Sequence, residues 1–471
     1  MRRIPAAAMA LLCPLALFAA DVQFYTKDYQ QEALEIFRDV IAIRSAAGHG
    51  KVPELANYLA GHFRDGGFDE ADVHVLPQEL STGEDAAALV VRYRGDGSSG
   101  RKPILLLAHM DIVDAIPSDW ERDPFTLIQE DGYFFGRGTA DNKEGVTVLT
   151  ETFLRLKREG FVPTRDLVIA FTGDEETLME TTRALANEHR HLTDAEYVLN
   201  SDGGGGLKND RHEYMAYLVQ AAEKTYATFE ITARNPGGHS SLPRADNAIY
   251  DLAEALTNIA AYRFPARIND VTRGYFEAAA PLAAEPARTA MREFARDPEN
   301  EEARTVLEAL PAEVGVTRTT CVATMLDAGH AENALPQSAT ATLNCRIFPG
   351  DAVADVQATL LEAAGNEDLE IRKLAETFEG PVSPLNEEVM GAVTDAVHET
   401  YGDVPIIPYM APYATDGLHM RRAGLPTYGV SGVFMRNEDV FAHGLNERIP
   451  VESFYSALEY WHRLLTDLAG P

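Results

Sequence analysis

Apolar and polar positions follow two different periods along this chain, and each change of period marks an element. Leu34, Phe37, Val40 and Ile41 recur at helical spacing, as do Leu55, Tyr58, Leu59 and Phe63, the second run closing at Gly66 and Gly67. Short apolar runs at 88–93, 103–108, 167–172 and 197–200 predict strands. Several lack alternation, as expected of strands covered on both faces of a mostly parallel sheet. A helix over 144–157 supplies a crossover between them.

Near residue 223 the pattern changes. A strand at 225–233, a loop with Pro236, Gly237 and Gly238, and a helix at 247–262 come first. Two strands at 321–327 and 339–348, folded about Asn333, precede a helix at 353–364 and a strand at 369–373. These compose a small α+β unit. The α/β pattern then resumes, with a helix at 387–401 and a strand at 427–433. The predicted fold is α/β: a mixed, mostly parallel sheet covered by helices, with an inserted α+β domain over 223–376. Residues 21–222 and 377–471 then form one domain, and 471 residues suit such a division. Residues 265–314, rich in Ala, Glu and Arg, read as helical and carry no evident chemistry.

Composition bears on partners and compartment. With 41 basic against 73 acidic residues the net charge is -32, which argues against nucleic acid or an anionic membrane as partner. Residues 1–20 place two arginines before an apolar stretch that ends in small residues, the layout of a secretory signal peptide. The protein is therefore expected to be secreted or periplasmic, a retained anchor being the alternative. Past that segment only Cys321 and Cys345 remain, too few for a disulfide scaffold. A hairpin centred on Asn333 sets them opposite each other, and a disulfide and two buried thiols both stay open.

Candidate chemistry gathers where predicted strands end, the place at which open α/β sheets bind ligands. His109 follows the 104–108 run, with Asp111 two residues on to orient its ring. Asp141 opens a helix after Gly136-Arg137-Gly138, and each of its carboxylate oxygens could serve one of two cations. Gly173-Asp174-Glu175-Glu176 sets carboxylates side by side, which is unfavourable unless cations neutralise them. Asp202 precedes the four glycines 203–206, read as a flexible turn, and His443 lies in Ala442-His443-Gly444. A solvated acidic turn, a helix cap or a loop histidine would explain any one of these. Together they suggest a metal pair, for which Asp141, Glu176, Asp202 and a hydroxide offset the cationic charge.

These motifs, in this order, resemble metallopeptidase family twenty, the group of zinc carboxypeptidases, aminoacylases and dipeptidases. The resemblance covers nearly the whole chain beyond the leader. It implies two Zn2+, or Co2+ or Mn2+, one held by His109, Asp141 and Asp202, the other by Asp141, Glu176 and His443. It implies Glu175 as general base, a cis peptide between Asp141 and Asn142, and Asp416-Gly417 as part of a family signature. In the inserted domain, which would act as lid and dimerisation domain, His239 of Gly237-Gly238-His239-Ser240-Ser241 matches a histidine that stabilises the oxyanion, often in a partner subunit. Arg346 and Asn333 match positions near the pocket for the substrate carboxylate. The activity implied is hydrolysis of a peptide or N-acyl amide beside a free carboxylate, with deacylation of N-acyl amino acids as the alternative. An aminopeptidase or a non-catalytic binding protein fits less well, since Arg346 suits an anion and no ligand is missing.

Overall fold

The computed structural model describes residues 27–471; the expected leader at 1–20 lies outside them. A large mixed sheet forms the centre. Its strands run in the order Val73–Glu79, Asp85–Tyr93, Leu167–Thr172, Ile104–His109, Tyr197–Asn200, Thr427–Gly429, Tyr214–Glu223, Gly205–Lys208 and Phe434–Arg436, with Ile406–Ala411 alongside Tyr214–Glu223. Every residue of Ile104–His109 and Leu167–Thr172 is buried, which is why those runs are apolar without alternation. The helices Asp28–Ala42, Lys143–Arg158 and Val451–Ala469 share one core with the sheet, built around Phe37, Phe134, Phe153, Phe454 and Trp461.

Register decides where the chemistry emerges. The parallel pairing runs from Ile104 opposite Leu167 to His109 opposite Thr172, and Leu107 lies opposite Asn200. His109, the 173–176 acidic run and Asp202 therefore leave the sheet at one edge.

A second sheet orders its strands as Thr320–Ala328, Ser338–Ile347, Thr225–Arg234 and Glu370–Lys373. The helices Ala248–Ala261 and Val353–Ala364 close its core around Phe229, Leu252, Leu343 and Leu360. Strict alternation along Ser338–Ile347 buries Ala339, Ala341, Leu343, Cys345 and Ile347 and turns Arg346 to the other face. Cys321 lies opposite Cys345, as a hairpin about Asn333 requires, and the two are joined in a disulfide. The pairing then slips between Ala323 and Met325, leaving Thr324 as a bulge.

Three readings need correction. The 427–433 run is not one strand. Thr427–Gly429 pairs with Tyr197–Asn200, whereas Phe434–Arg436 pairs with Gly205–Lys208, because the chain crosses over at Gly429 to Val433. The 203–206 glycines are a turn only in part: Gly203 and Gly204 lie between Asp202 and the sheet, whereas Gly205 and Gly206 open the strand Gly205–Lys208. A Cβ on Gly204 would stand 2.2 Å from the Gly429 carbonyl oxygen, so glycine there permits two backbones to meet. The strand Tyr214–Glu223, unmarked in the sequence reading, pairs with three others. The 265–314 stretch is helical as expected, and Gly274 brings Asp270–Ala279 close against Pro408 of the large sheet.

Candidate active site

A cavity of about 590 Å³ opens at the shared edge of the large sheet. Asp141, Glu175, Glu176, Asp202 and His443 line it, with Tyr409, Tyr413 and Thr415. His109 is buried beneath. Its Nε2 stands 2.9 Å from Asp141 Oδ1 and 4.0 Å from Asp202 Oδ2. The other Asp141 oxygen is 3.1 Å from His443 Nε2, which is 3.0 Å from Glu176 Oε2. Asp141 thus stands between the two histidines with one oxygen facing each. Ligands roughly 2 Å from a tetrahedral cation sit about 3.3 Å apart, so the spacing of these donors fits metal. His109, Asp141 and Glu176 alone already form a cluster of metal-ligand geometry.

The electrostatics agree with that fit. Burial works to lower the His109 pKa, yet Asp111 and Asp141 hold it well above the ordinary value. Hydrogen bonds that its ring donates to Asp141 and Glu176 lift His443 to about 10. Burial and like charge push Glu175, Glu176 and Asp202 up, although His443 and His109 pull against that shift. Without a cation, such a cluster lowers its energy by taking up protons, and cation binding would release them.

The supporting contacts explain how adjacent acids face different ways. Asp174 turns inward and accepts from the Glu180 and Thr181 amides at 2.6 and 2.9 Å, at the start of the helix Glu180–Ala186. Asp111 accepts from the Glu175 amide at 3.1 Å and the Glu176 amide at 3.0 Å, so its carboxylate aims that pair. For His109 the nearest Asp111 atom is the backbone carbonyl oxygen, 3.0 Å from Nδ1, with the carboxylate at 3.5 Å. Asp111 therefore meets the ring through its main-chain carbonyl and, at longer range, through the carboxylate. The Asp141–Asn142 peptide is cis. His443 has φ 63°, an uncommon conformation for a residue with a side chain.

One positioning pair escaped the sequence reading, and Asp416, marked there only as part of a family signature, gains a structural role. Glu447 is fully buried and accepts from Arg137 Nη1 at 2.6 Å, from the Ala140 amide at 2.7 Å, and from the Gly138 and Asp141 amides at 3.2 Å. Arg137 also donates to the Gly444 carbonyl at 3.1 Å. One ion pair therefore joins the loop of Asp141 to the loop of His443. Asp416 accepts hydrogen bonds from Thr172 and Thr182, tying its helix to the strand before the acidic run. Arg137 sits inside a segment already singled out, and Glu447 four residues beyond His443. Their pairing spans 310 positions, so no local period could reveal it.

His239, Asn333 and Arg346 are not among the residues that line the cavity. His239 is exposed on the short strand Gly238–His239, opposite Ala334, and the Asn333 carbonyl accepts from Ser240 N at 3.0 Å. Arg346 donates to the Pro412 carbonyl at 3.0 Å and lies over the Tyr226 ring.

Residues 105–467 match the model of Peptidase family M20/M25/M40, and the chain belongs to that family. It is 29% identical over 371 residues to an N-fatty-acyl-amino acid synthase/hydrolase, PM20D1 of Xenopus tropicalis, covering 77% of this chain and 72% of that protein. A probable carboxypeptidase S-like protein of Dictyostelium discoideum is 26% identical over 391 residues, 80% of this chain and 74% of its own. Among solved structures, an M20 metallo-carboxypeptidase from Sulfolobus solfataricus superposes with TM-score 0.65 at 20% identity, covering 92% of this chain and 98% of that one. The likeness confirms the mixed α/β fold. Membership of the M20 family supports a hydrolase.

Proposed function

We propose that this protein hydrolyses the amide bond of N-acyl amino acids or short peptides beside a free carboxylate, using a metal pair. The observation that carries the reading is Asp141, set between His109 and His443 in a cavity that also holds Glu175. His109, Asp141 and Asp202 would hold one cation and Asp141, Glu176 and His443 the other, with Zn2+ expected and Co2+ or Mn2+ suited to the same donors. When bound, the pair activates water and polarises a carbonyl. Glu175 accepts the proton of the attacking water and delivers it to the departing amine nitrogen. Asp111 keeps Glu175 aimed through the backbone amide it binds.

An acyl group without charge suits the rest of the cavity, where Leu207, Leu218, Val433, Met435, Val440 and Ile449 form much of the wall. The similarity to an N-fatty-acyl-amino acid hydrolase favours that substrate over a peptide. Arg346 and Asn333 would hold the substrate carboxylate, and His239 the oxyanion, once the 223–376 domain and the cavity approach each other. A partner subunit could supply His239. The edge strand Thr320–Ala328 supports such a dimer, since it exposes Val322, Met325 and Leu326 along an unpaired edge. The disulfide agrees with an oxidising compartment reached through the 1–20 leader, and among the described residues no helix is long and apolar enough to cross a membrane.

Metal analysis with a screen of N-acyl amino acids and dipeptides tests the reading. Glu175→Gln should keep its metal and lose turnover by about 10²–10⁴-fold. Wild-type turnover in that variant would remove Glu175 as base. Equal cleavage of amidated and free-acid substrates would remove Arg346 as the carboxylate binder.

A further inference from the structure

A second cavity, of about 380 Å³, shares no lining residue with the first. It lies among the helix Glu180–Ala186, the helix Gly417–Arg422 and the segment that leads from the strand Glu370–Lys373 to the helix Glu387–Tyr401. Arg183, Asn187, Phe378, Glu379, His419 and Arg422 are in its wall. The Phe378 ring gathers the basic groups: the Arg183 and Arg422 guanidinium carbons stand 5.2 and 5.0 Å from its centre, and the His419 ring meets it edge-on at 4.8 Å. Acids leave this charge largely uncovered. Arg422 donates to the Glu379 carbonyl at 2.8 Å and forms no ion pair among the described residues. Arg183 donates to the Leu178 carbonyl at 2.5 Å, and its ion-pair partner, Glu180 at 3.9 Å, already accepts from the Ser81 amide at 3.0 Å. Glu379 gives one carboxylate oxygen to the Val353 amide, 2.8 Å away. Two guanidiniums against one acid make a cationic hollow on a chain of net charge -32.

His419 adds an independent sign of a ligand. It is 4% exposed, yet its side chain makes no hydrogen bond among the described residues. Neither ring nitrogen is among the polar atoms sealed in without a partner, so the surface they keep opens into the cavity that the residue lines. A buried polar side chain in that position ordinarily meets water or a ligand. Burial, and then the Arg183 and Arg422 charges, push its pKa down to about 4, which places the three groups in one another's field. In either protonation state the ring has an N–H to donate. We propose that this cavity binds a phosphate group, free or carried on a small organic molecule, between Arg183, Arg422 and His419. Two guanidinium forks and a ring N–H present more donors than the pair of oxygens on a carboxylate can use, whereas a phosphate monoester offers three strong acceptor oxygens. The volume exceeds that of a bare phosphate and leaves room for a small organic body beside Phe378. The site goes beyond the hydrolase reading and does not depend on it.

Isothermal titration calorimetry of the full protein at fixed ionic strength, with inorganic phosphate, phenyl phosphate and benzoate as probes, tests this. The wild type should bind a phosphate probe at least about tenfold more tightly than Arg183→Gln/Arg422→Gln. Arg183→Lys/Arg422→Lys should fall between them, because it keeps the charge and loses the forks. Arg422→Gln alone, at an exposed side chain, should weaken binding in the same direction and serves if the double variant folds poorly. Phosphate bound at the first cavity is common to all these proteins and cancels in the comparison. Tighter binding of phenyl phosphate than of inorganic phosphate assigns the site to an organic ester, and the reverse order to the free anion. The urea midpoint of the wild type should rise with the tighter probe and that of the double variant should not.

Equal affinity in the wild type and the Gln variants overturns the proposal, as does a wild-type protein that neither phosphate probe binds or stabilises. Benzoate bound as tightly as phenyl phosphate overturns the choice of phosphate over carboxylate. Amide hydrolysis measured without phosphate should be unchanged in Arg422→Gln, since that side chain lies outside the first cavity. Failure of the hydrolase reading would leave these binding results standing, and failure of phosphate to bind would leave that reading untouched.

Discussion

Replacing Glu447 by leucine should show that one buried ion pair holds both halves of the proposed metal site. The substitution leaves the Arg137 guanidinium 3% exposed and without its 2.6 Å partner, and it orphans the Gly138, Ala140 and Asp141 amides. Breaking a buried pair from one side costs about 3–5 kcal/mol, and each dry amide about 1–3 kcal/mol. These losses overlap because water enters and the loops relax, so a fall of at least about 3 kcal/mol is expected against a typical total of roughly 5–15 kcal/mol. Urea titration measures it as a shift in midpoint at constant slope. Removing both charges in Arg137→Met/Glu447→Leu leaves no orphaned guanidinium, so the double variant should be less destabilised than the sum of the two singles by about 1–3 kcal/mol. Metal content after dialysis, read by mass spectrometry, should drop in Glu447→Leu because the Asp141 amide and the Gly444 carbonyl lose their common anchor. Strict additivity in the cycle, or a loss under about 1 kcal/mol with full metal retention, would refute the reasoning.

Three further outcomes follow from other parts of the molecule. Glu459 binds Lys27 at 2.8 Å, Arg155 at 3.0 Å and the Tyr29 hydroxyl. Despite partial burial these contacts lower its pKa to about 2. Its stabilisation, about 1 kcal/mol after solvent screening, is therefore complete above the ordinary value of about 4.3 and is lost as pH falls toward about 2. The stability gap between wild type and Glu459→Gln should narrow accordingly in urea titrations across acid pH, and a gap that widens with acid would contradict this sign. Cys321→Ser/Cys345→Ala opens a loop of 24 residues, and chain entropy predicts a loss of about 3 kcal/mol, read as a fall in denaturation midpoint. Met325→Glu/Leu326→Arg on the exposed edge strand should shift a homodimer toward monomer in sedimentation velocity, with the monomer retaining its disulfide.

The periodic parts of the chain were legible because burial leaves a local mark. Fully covered strands such as Ile104–His109 must be apolar throughout, the alternation of Ser338–Ile347 must match its two faces, and the helices Val353–Ala364 and Glu387–Tyr401 lie where their spacing sets them. The cluster of histidines and acids was legible for a related reason: His109, Asp141, Glu175, Glu176, Asp202 and His443 stand at or just beyond the ends of strands or before a helix, and carboxylates so placed stand out against apolar surroundings. What the sequence could not convey lies in contacts between distant segments. The Glu447–Arg137 pair, the crossover that splits the run after Thr427, and the strand that begins at Gly205 all depend on which segments meet. Local pattern thus determined most of the elements and the donor types by itself, whereas register and long-range packing alone decided which donors converge, which acids diverge and what shape they enclose.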